Sequence, residues 1–191
     1  MGKGRLEAFS DGVIAVIITI MVLEMKVPHG VDLASLEPVL PVFVSYVLSF
    51  VYVGIYWNNH HHLFHAVDGV NGRVLWANQH LLFWLSLIPF VTGWMGENHF
   101  APLPTAIYGG VLLCAALAYY VLVRVIIAQQ GPHSKLAAAV GRDMKGVVSP
   151  ILYVTGIAAT LVHPGIAQAL FVVVALMWLI PDRRIERKLN H

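Results

Sequence analysis

Apolar residues gather into six blocks separated by short polar runs, at about 5–27, 39–60, 74–95, 104–128, 147–162 and 165–180. About 20 apolar residues in a helix cross the hydrocarbon core of a bilayer, so each block reads as a membrane span, the last two near the lower limit of length. None alternates apolar and polar residues with the period of two that barrel strands show. Backbone facing lipid must be satisfied within its own segment, so the blocks predict helices. The expected fold is all-α: a polytopic membrane protein with six transmembrane helices in a single domain over residues 1–191. The His163-Pro164-Gly165 turn makes the last two blocks a tight hairpin. Connections are short except for 129–146, QQGPHSKLAAAVGRDMKG, a basic loop with one helical turn around Lys135–Val140.

Composition agrees with a membrane protein. Mean hydropathy is +0.73 and charged residues are 12% of the chain, where soluble domains carry about 25%. The first block is too long, and too polar at its start, for a cleavable signal peptide, and it lacks a small-residue cleavage site. The single cysteine, Cys114, lies mid-block and reads as a small buried apolar residue. On a six-span reading one side receives Lys3, Arg5, Arg73, Arg124, Lys135, Arg142, Lys145, Arg183, Arg184, Arg187 and Lys188, and the other only Lys26. That skew places both termini in the cytoplasm. The expected location is the cell (inner) membrane. The outer loops hold Glu24, Asp32, Glu37 and Glu97, an acidic rim that concentrates cations if it surrounds an entrance. The basic tail PDRRIERKLNH reads as interfacial. No internal repeat and no nucleotide-binding loop is present, and nucleic acid is not an expected partner.

The first block opens on polar residues, Arg5, Glu7, Ser10 and Asp11, where a plain anchor would carry leucines. Asp11 lies more than a turn inside the helix, and a carboxylate there is costly without a partner or water. Further along, Val16, Thr19/Ile20 and Leu23 repeat at helical spacing and form an aliphatic stripe with one hydroxyl. Such stripes more often pack a core than line a pore. Asp11 lies about 140° around the helix from Val16, whereas Arg5 falls nearly on the Val16 line. No TVGYG run occurs, so a re-entrant filter loop is excluded, and a pore here needs side chains on a helix for its constriction.

Histidines crowd the end of the second block: His60, His61, His62 and His65 follow Trp57, Asn58 and Asn59. An intramembrane histidine-ligated metal or haem site is one reading, with His80, His163 and Asp11 as further ligands, but the spacing does not demand it and no HExxH is present. A proton-coupled transporter relaying through Asp11 and the histidines is another. A structural hydrogen-bonding cluster is the third, since a buried aspartate needs donors such as indole and imidazole N–H groups.

Arg5, Phe9, Ser10, Asp11 and Gly12 spell R-x-x-x-F-S-D-G at the start of the first span. With the YWNNHH run at the end of the second block, the chain length and the number of blocks, this closely resembles the endosomal/lysosomal potassium channel family in its short single-repeat prokaryotic form. The resemblance covers essentially the whole chain. It implies a potassium-permeable cation channel, passive, without enzymatic activity or cofactor. It also implies a homotetramer in the bilayer, with the first helices of four subunits around the axis and aliphatic rings at the narrow point. Matched by distance from the FSDG aspartate, the narrowest ring falls on Val16, where family members carry Ile or Leu; a valine ring is slightly wider. The resemblance further implies a network behind the pore between Arg5, Ser10 and Asp11 on one helix and Trp57, Asn59 and His61 on the other. The sequence leaves open which of His60, His61 and His62 faces inward. A carboxylate beside that imidazole would favour its protonated form.

Overall fold

The computed structural model describes residues 2–67, 69–131, 133–140 and 144–179. All regular structure among them is helical: α1 (Lys3–Leu23), a 3-10 segment (Leu33–Val39) running into α2 (Leu40–His65), α3 (Gly72–Ser86), α4 (Ile88–Glu97), α5 (Pro102–Gln130), α6 (Lys135–Val140), α7 (Met144–Ala159) and α8 (Pro164–Leu179). Helices α2, α4 and α5 each have proline in their first two positions, where the missing N–H would have had no intrahelical acceptor. Asn71 caps α3 by accepting from the Val74 N–H at 3.0 Å. Asp32 caps the 3-10 segment by accepting from the Ser35 N–H at 3.1 Å and from the Ser35 hydroxyl. Those bonds hold the Asp32 carboxyl below its ordinary pKa. The cap is therefore complete at neutral pH and is lost as pH falls through that lowered value.

Among the described residues, four stretches are long and apolar enough to cross a membrane: Lys3–Leu23, Leu33–His65, Gly72–Glu97 and Pro102–Gln130. Helices α7 and α8, at 16 residues each, are shorter, about 24 Å against a core of about 30 Å. The first block ends as helix at Leu23 rather than near residue 27, and the second runs on through the histidines to His65. The third block, expected as one span, is two helices that break at Leu87. Pro89 is the cause: its ring clashes with the carbonyl four residues back and it has no N–H to donate. The helical turn expected near Lys135–Val140 is α6. Arg142, the end of the sixth block at Ile180, and the tail with Arg183, Arg184, Arg187 and Lys188 lie outside the described residues.

The bundle has two distinct ends. At one, Lys3 Nζ reaches the His65 carbonyl (3.5 Å), and Gln129 and Gln130 at the close of α5 donate to the carbonyls of Gly69 (2.9 Å) and Ala66 (3.0 Å). At the other, Lys26 after α1 pairs with Glu97 at the end of α4 (2.8 Å). Helix α5 is the hub, packed on α3, α4, α7 and α8, while α1 packs on α2, α3 and α4. Its buried stripe, Tyr108, Leu112, Ala115, Ala118 and Leu122, follows helical spacing and includes small residues that let neighbouring backbones approach.

The tightest approach is around Phe171 of α8. A Cβ at Gly109 would lie 2.4 Å from Phe171 Cζ, and one at Gly156 would lie 2.7 Å from Cε1. The ring fills the space those two glycines vacate, and the Phe171 carbonyl accepts from the Tyr52 hydroxyl. Gly109→Ala is expected to destabilise the fold by about 1–3 kcal/mol through overpacking, and Phe171→Leu in the same chain to recover part of the loss. Thermal melting of both variants in detergent tests this; equal melting of Gly109→Ala and the wild type would exclude a tight contact there.

Candidate functional site

Helix α1 shows two unlike faces. Leu6, Ser10, Ile14, Ile17 and Met21, at intervals of three and four residues, are buried against the bundle. The opposite side is uncovered by its own chain: Val16 is 54% exposed, Ile20 40% and Leu23 79%. Thr19, Arg5, Phe9 and Gly12 are exposed as well. A Cβ at Gly12 would meet nothing within 4 Å, so packing inside this chain does not require glycine there. The Thr19 hydroxyl donates to its own helix, to the carbonyls of Val16 (2.9 Å) and Ala15 (3.3 Å). Its proton is thereby occupied, while its oxygen still has lone pairs to accept with.

The buried face is anchored by a chain of polar side chains. The Ser10 hydroxyl donates to the Leu6 carbonyl (2.9 Å) and accepts from Asn78 Nδ2 of α3 (2.9 Å). Asn78 Oδ1 in turn meets His60 Nε2 of α2 at 2.8 Å. An amide oxygen only accepts, so the proton of that contact sits on His60 Nε2. Ser10, His60 and Asn78 are all buried, at 0%, 1% and 0% exposure. The His60 ring also lies against Phe64, with centroids 4.6 Å apart. Three helices thus share one fully satisfied polar chain.

Asp11 sits beside this chain, at the edge of the bundle. It is exposed and accepts from the Trp57 indole N–H at 3.0 Å. Trp57 stacks on His61 (6.2 Å), and His61 on His65 (6.3 Å). The expected cluster is therefore divided. The ring bonded toward Ser10 is His60, not His61, because three successive residues on a helix point about 100° apart and only one of them faces α3. Asn59 turns elsewhere: its Nδ2 donates to the Ile55 carbonyl (2.8 Å), and its own carbonyl accepts from Tyr119 of α5 (3.1 Å). Arg5 forms no ion pair with Asp11 among the described residues. Nor do any three His, Cys, Asp or Glu side chains among them converge as a metal-binding group.

Asn78 is the member that sequence reasoning missed. The available signal was Asn78-Gln79-His80 inside an otherwise apolar block, since an amide within a membrane helix commonly bonds a neighbouring helix. Asn78→Leu is expected to strand the His60 donor and cost about 1–3 kcal/mol. Trp57→Phe, at an exposed bond, should cost less. Melting temperatures in detergent compare the two; a larger loss for Trp57→Phe would show that the buried chain is not the main anchor.

The chain is similar to known proteins. The family described as endosomal/lysosomal potassium channel TMEM175 matches residues 5–89, the stretch from the FSDG motif through Asn78. A potassium channel of Chryseobacterium sp. is 59% identical over 190 residues, covering 100% of this chain and 99% of that one. A potassium channel of Streptomyces collinus is 35% identical over 128 residues, 63% of this chain and 62% of the relative. The crystal structure of a lysosomal potassium-selective channel TMEM175 homolog from Chamaesiphon minutus superposes with a TM-score of 0.79 at 26% identity, covering 95% of this chain and 97% of that one. With a full-length relative at that identity and the same fold, the chain belongs to the TMEM175 channel family.

Proposed function

We propose that this chain is one subunit of a homotetrameric, potassium-permeable cation channel of the cell membrane, with six spans, both termini cytoplasmic, and a pore lined by α1. The observation that carries the reading is the uncovered aliphatic face of α1, Val16, Ile20 and Leu23, opposite a face fully engaged with the bundle. One chain contributes one such helix, and closing a pore takes several, which symmetry supplies. The relatives named potassium channels support the ion class. Conduction is passive and calls for no cofactor.

On this reading Val16 forms the narrowest ring. Aliphatic side chains offer no oxygen to replace an ion's lost hydration, so a tight ring resists ions and empties of water readily. Thr19, one turn outward, presents its oxygen lone pairs while its proton stays on the helix backbone. That oxygen holds a partly hydrated cation just beyond the ring, which favours potassium because potassium sheds water more easily than sodium. Arg5 stands at the cytoplasmic mouth, and Glu24 and Asp32 belong to the outer rim.

Three experiments test this. In planar bilayers under bi-ionic potassium/sodium conditions, Val16→Ala should raise conductance and admit larger cations, and Thr19→Val should move the reversal potential toward zero. If both variants match the wild type, α1 is not the pore. Flux without a proton gradient separates a channel from a proton-coupled transporter. For topology, cysteines at Ser35 and at His133 in a Cys114→Ala background should label from opposite sides of the membrane. Labelling from one side would require a different span count.

A further inference from the structure

Between α2, α5, α7 and α8, away from α1, lies a cavity of about 320 Å³. This is at the lower end of the size of pockets that hold small molecules, about 300–1,000 Å³. Its wall is mostly aromatic and aliphatic, with Tyr52, Tyr56 and Tyr153 buried at its inner side. The polar tips nearby are partly spent: the Tyr52 hydroxyl donates to the Phe171 carbonyl, and the Trp178 indole donates to Ser149 (2.8 Å).

The mouth has a different character. Arg124 is exposed there, 6.0 Å from the Tyr120 ring, and it forms no ion pair among the described residues. Lys145 stands over the Trp178 ring at 5.9 Å. Around these cations the rim is apolar and open, with Val147 63% and Tyr120 52% exposed. An apolar slot with a cationic mouth and an apolar rim suits an amphiphile that enters sideways from the bilayer, not a solute from water.

We propose that this cavity binds one anionic phospholipid of the cytoplasmic leaflet, with an acyl chain in the tyrosine-lined slot and the phosphate on Arg124. The leaflet assignment rests on the six-span reading above. Arginine presents a planar fork of donors that matches phosphate oxygens two at a time. Basic pockets between membrane helices on the cytoplasmic side are a recurrent seat for anionic headgroups. A zwitterionic lipid fills the slot equally well but brings its own cation to the mouth, so charge selects the occupant.

The purified protein titrated with dioleoyl phosphatidylglycerol or dioleoyl phosphatidylcholine, read by native mass spectrometry and thermal shift, tests this. The anionic lipid should be retained and raise the melting temperature, and the zwitterionic lipid should not. Arg124→Gln should weaken retention about ten- to a hundredfold, the range expected for loss of a charged hydrogen bond, with Arg124→Lys recovering part of it. Ala116 of α5 lines the slot; Ala116→Trp, which fills it, should abolish binding while Arg124 is intact, and Ala116→Leu serves if the tryptophan variant does not fold. Equal retention of both lipids, unchanged binding by Arg124→Gln, or unchanged binding by the filled variant would overturn the proposal. So would equal stabilisation by inorganic phosphate alone, which would make the site one for a free anion. These readouts do not involve conduction. Loss of lipid selectivity in a conducting protein counts against this site alone, and lipid binding without potassium current counts against the channel reading alone.

Discussion

The rotation of α1 about its own axis depends on one buried hydrogen-bonded chain, Ser10–Asn78–His60. In a bilayer the tails are as apolar as leucine, so burial of aliphatic side chains scarcely distinguishes one face of a helix from another. A polar bond does. Turning α1 by one residue, about 100°, carries the Ser10 hydroxyl off α3 and leaves the Asn78 amide N–H in an apolar interior, at a cost of about 1–3 kcal/mol. The uncovered position of Val16 and Leu23 is the geometric consequence of where Ser10 is held.

Asp11 acts differently from the buried carboxylate that its place in a membrane helix suggests. It is exposed on a single chain, and its indole partner is neutral. A neutral donor at an exposed site contributes modestly, and the large cost of breaking a desolvated ion pair does not apply. What the bond does is directional. It joins α1 to the Trp57–His61–His65 stack that runs along the exposed side of α2, so the two helices present a continuous polar and aromatic edge next to the aliphatic face.

The sequence made the helical class, the positions of most helices and the split personality of α1 legible, because hydrophobic block length and 3.6-residue spacing are local properties. The R-x-x-x-F-S-D-G run directed attention to Ser10 and Asp11. The partner of Ser10 was not legible. Asn78 lies 68 residues away, and the choice among His60, His61 and His62 turns on which of them meets Asn78 of α3, which no local pattern encodes. The break at Leu87 was in principle readable from Pro89, but prolines are tolerated inside membrane helices when neighbours re-satisfy the freed groups. Just past the break, α4 is held by residues far apart in sequence: Ser45 of α2 donates to the Thr92 carbonyl, Ser49 of α2 lies 2.7 Å from the Thr92 hydroxyl, and Tyr108 of α5 lies 3.0 Å from Ser49.

These two polar clusters place α2 under control at two levels, through His60 near one end and through Ser45 and Ser49 near the other. Helix α1 makes its polar bonds to other helices only in its first half, through Lys3, Ser10 and Asp11. Among the described residues no side chain of α1 beyond Asp11 bonds another helix, and Thr19 bonds only its own backbone. From Ile14 to Leu23 the helix is kept in place by the aliphatic contacts of Ile14, Ile17 and Met21, until Lys26 beyond its end pairs with Glu97. Apolar contact between membrane helices is weakly directional, so this half of α1 adjusts its tilt more cheaply than the half around Ser10. The stretch that carries Val16, Thr19 and Leu23 is thus the least rigidly held part of the helix, attached through polar groups at both ends and free of polar bonds to other helices between them; in the pore proposed above, that is the mechanical condition under which a ring at this level widens without unfolding the bundle behind it.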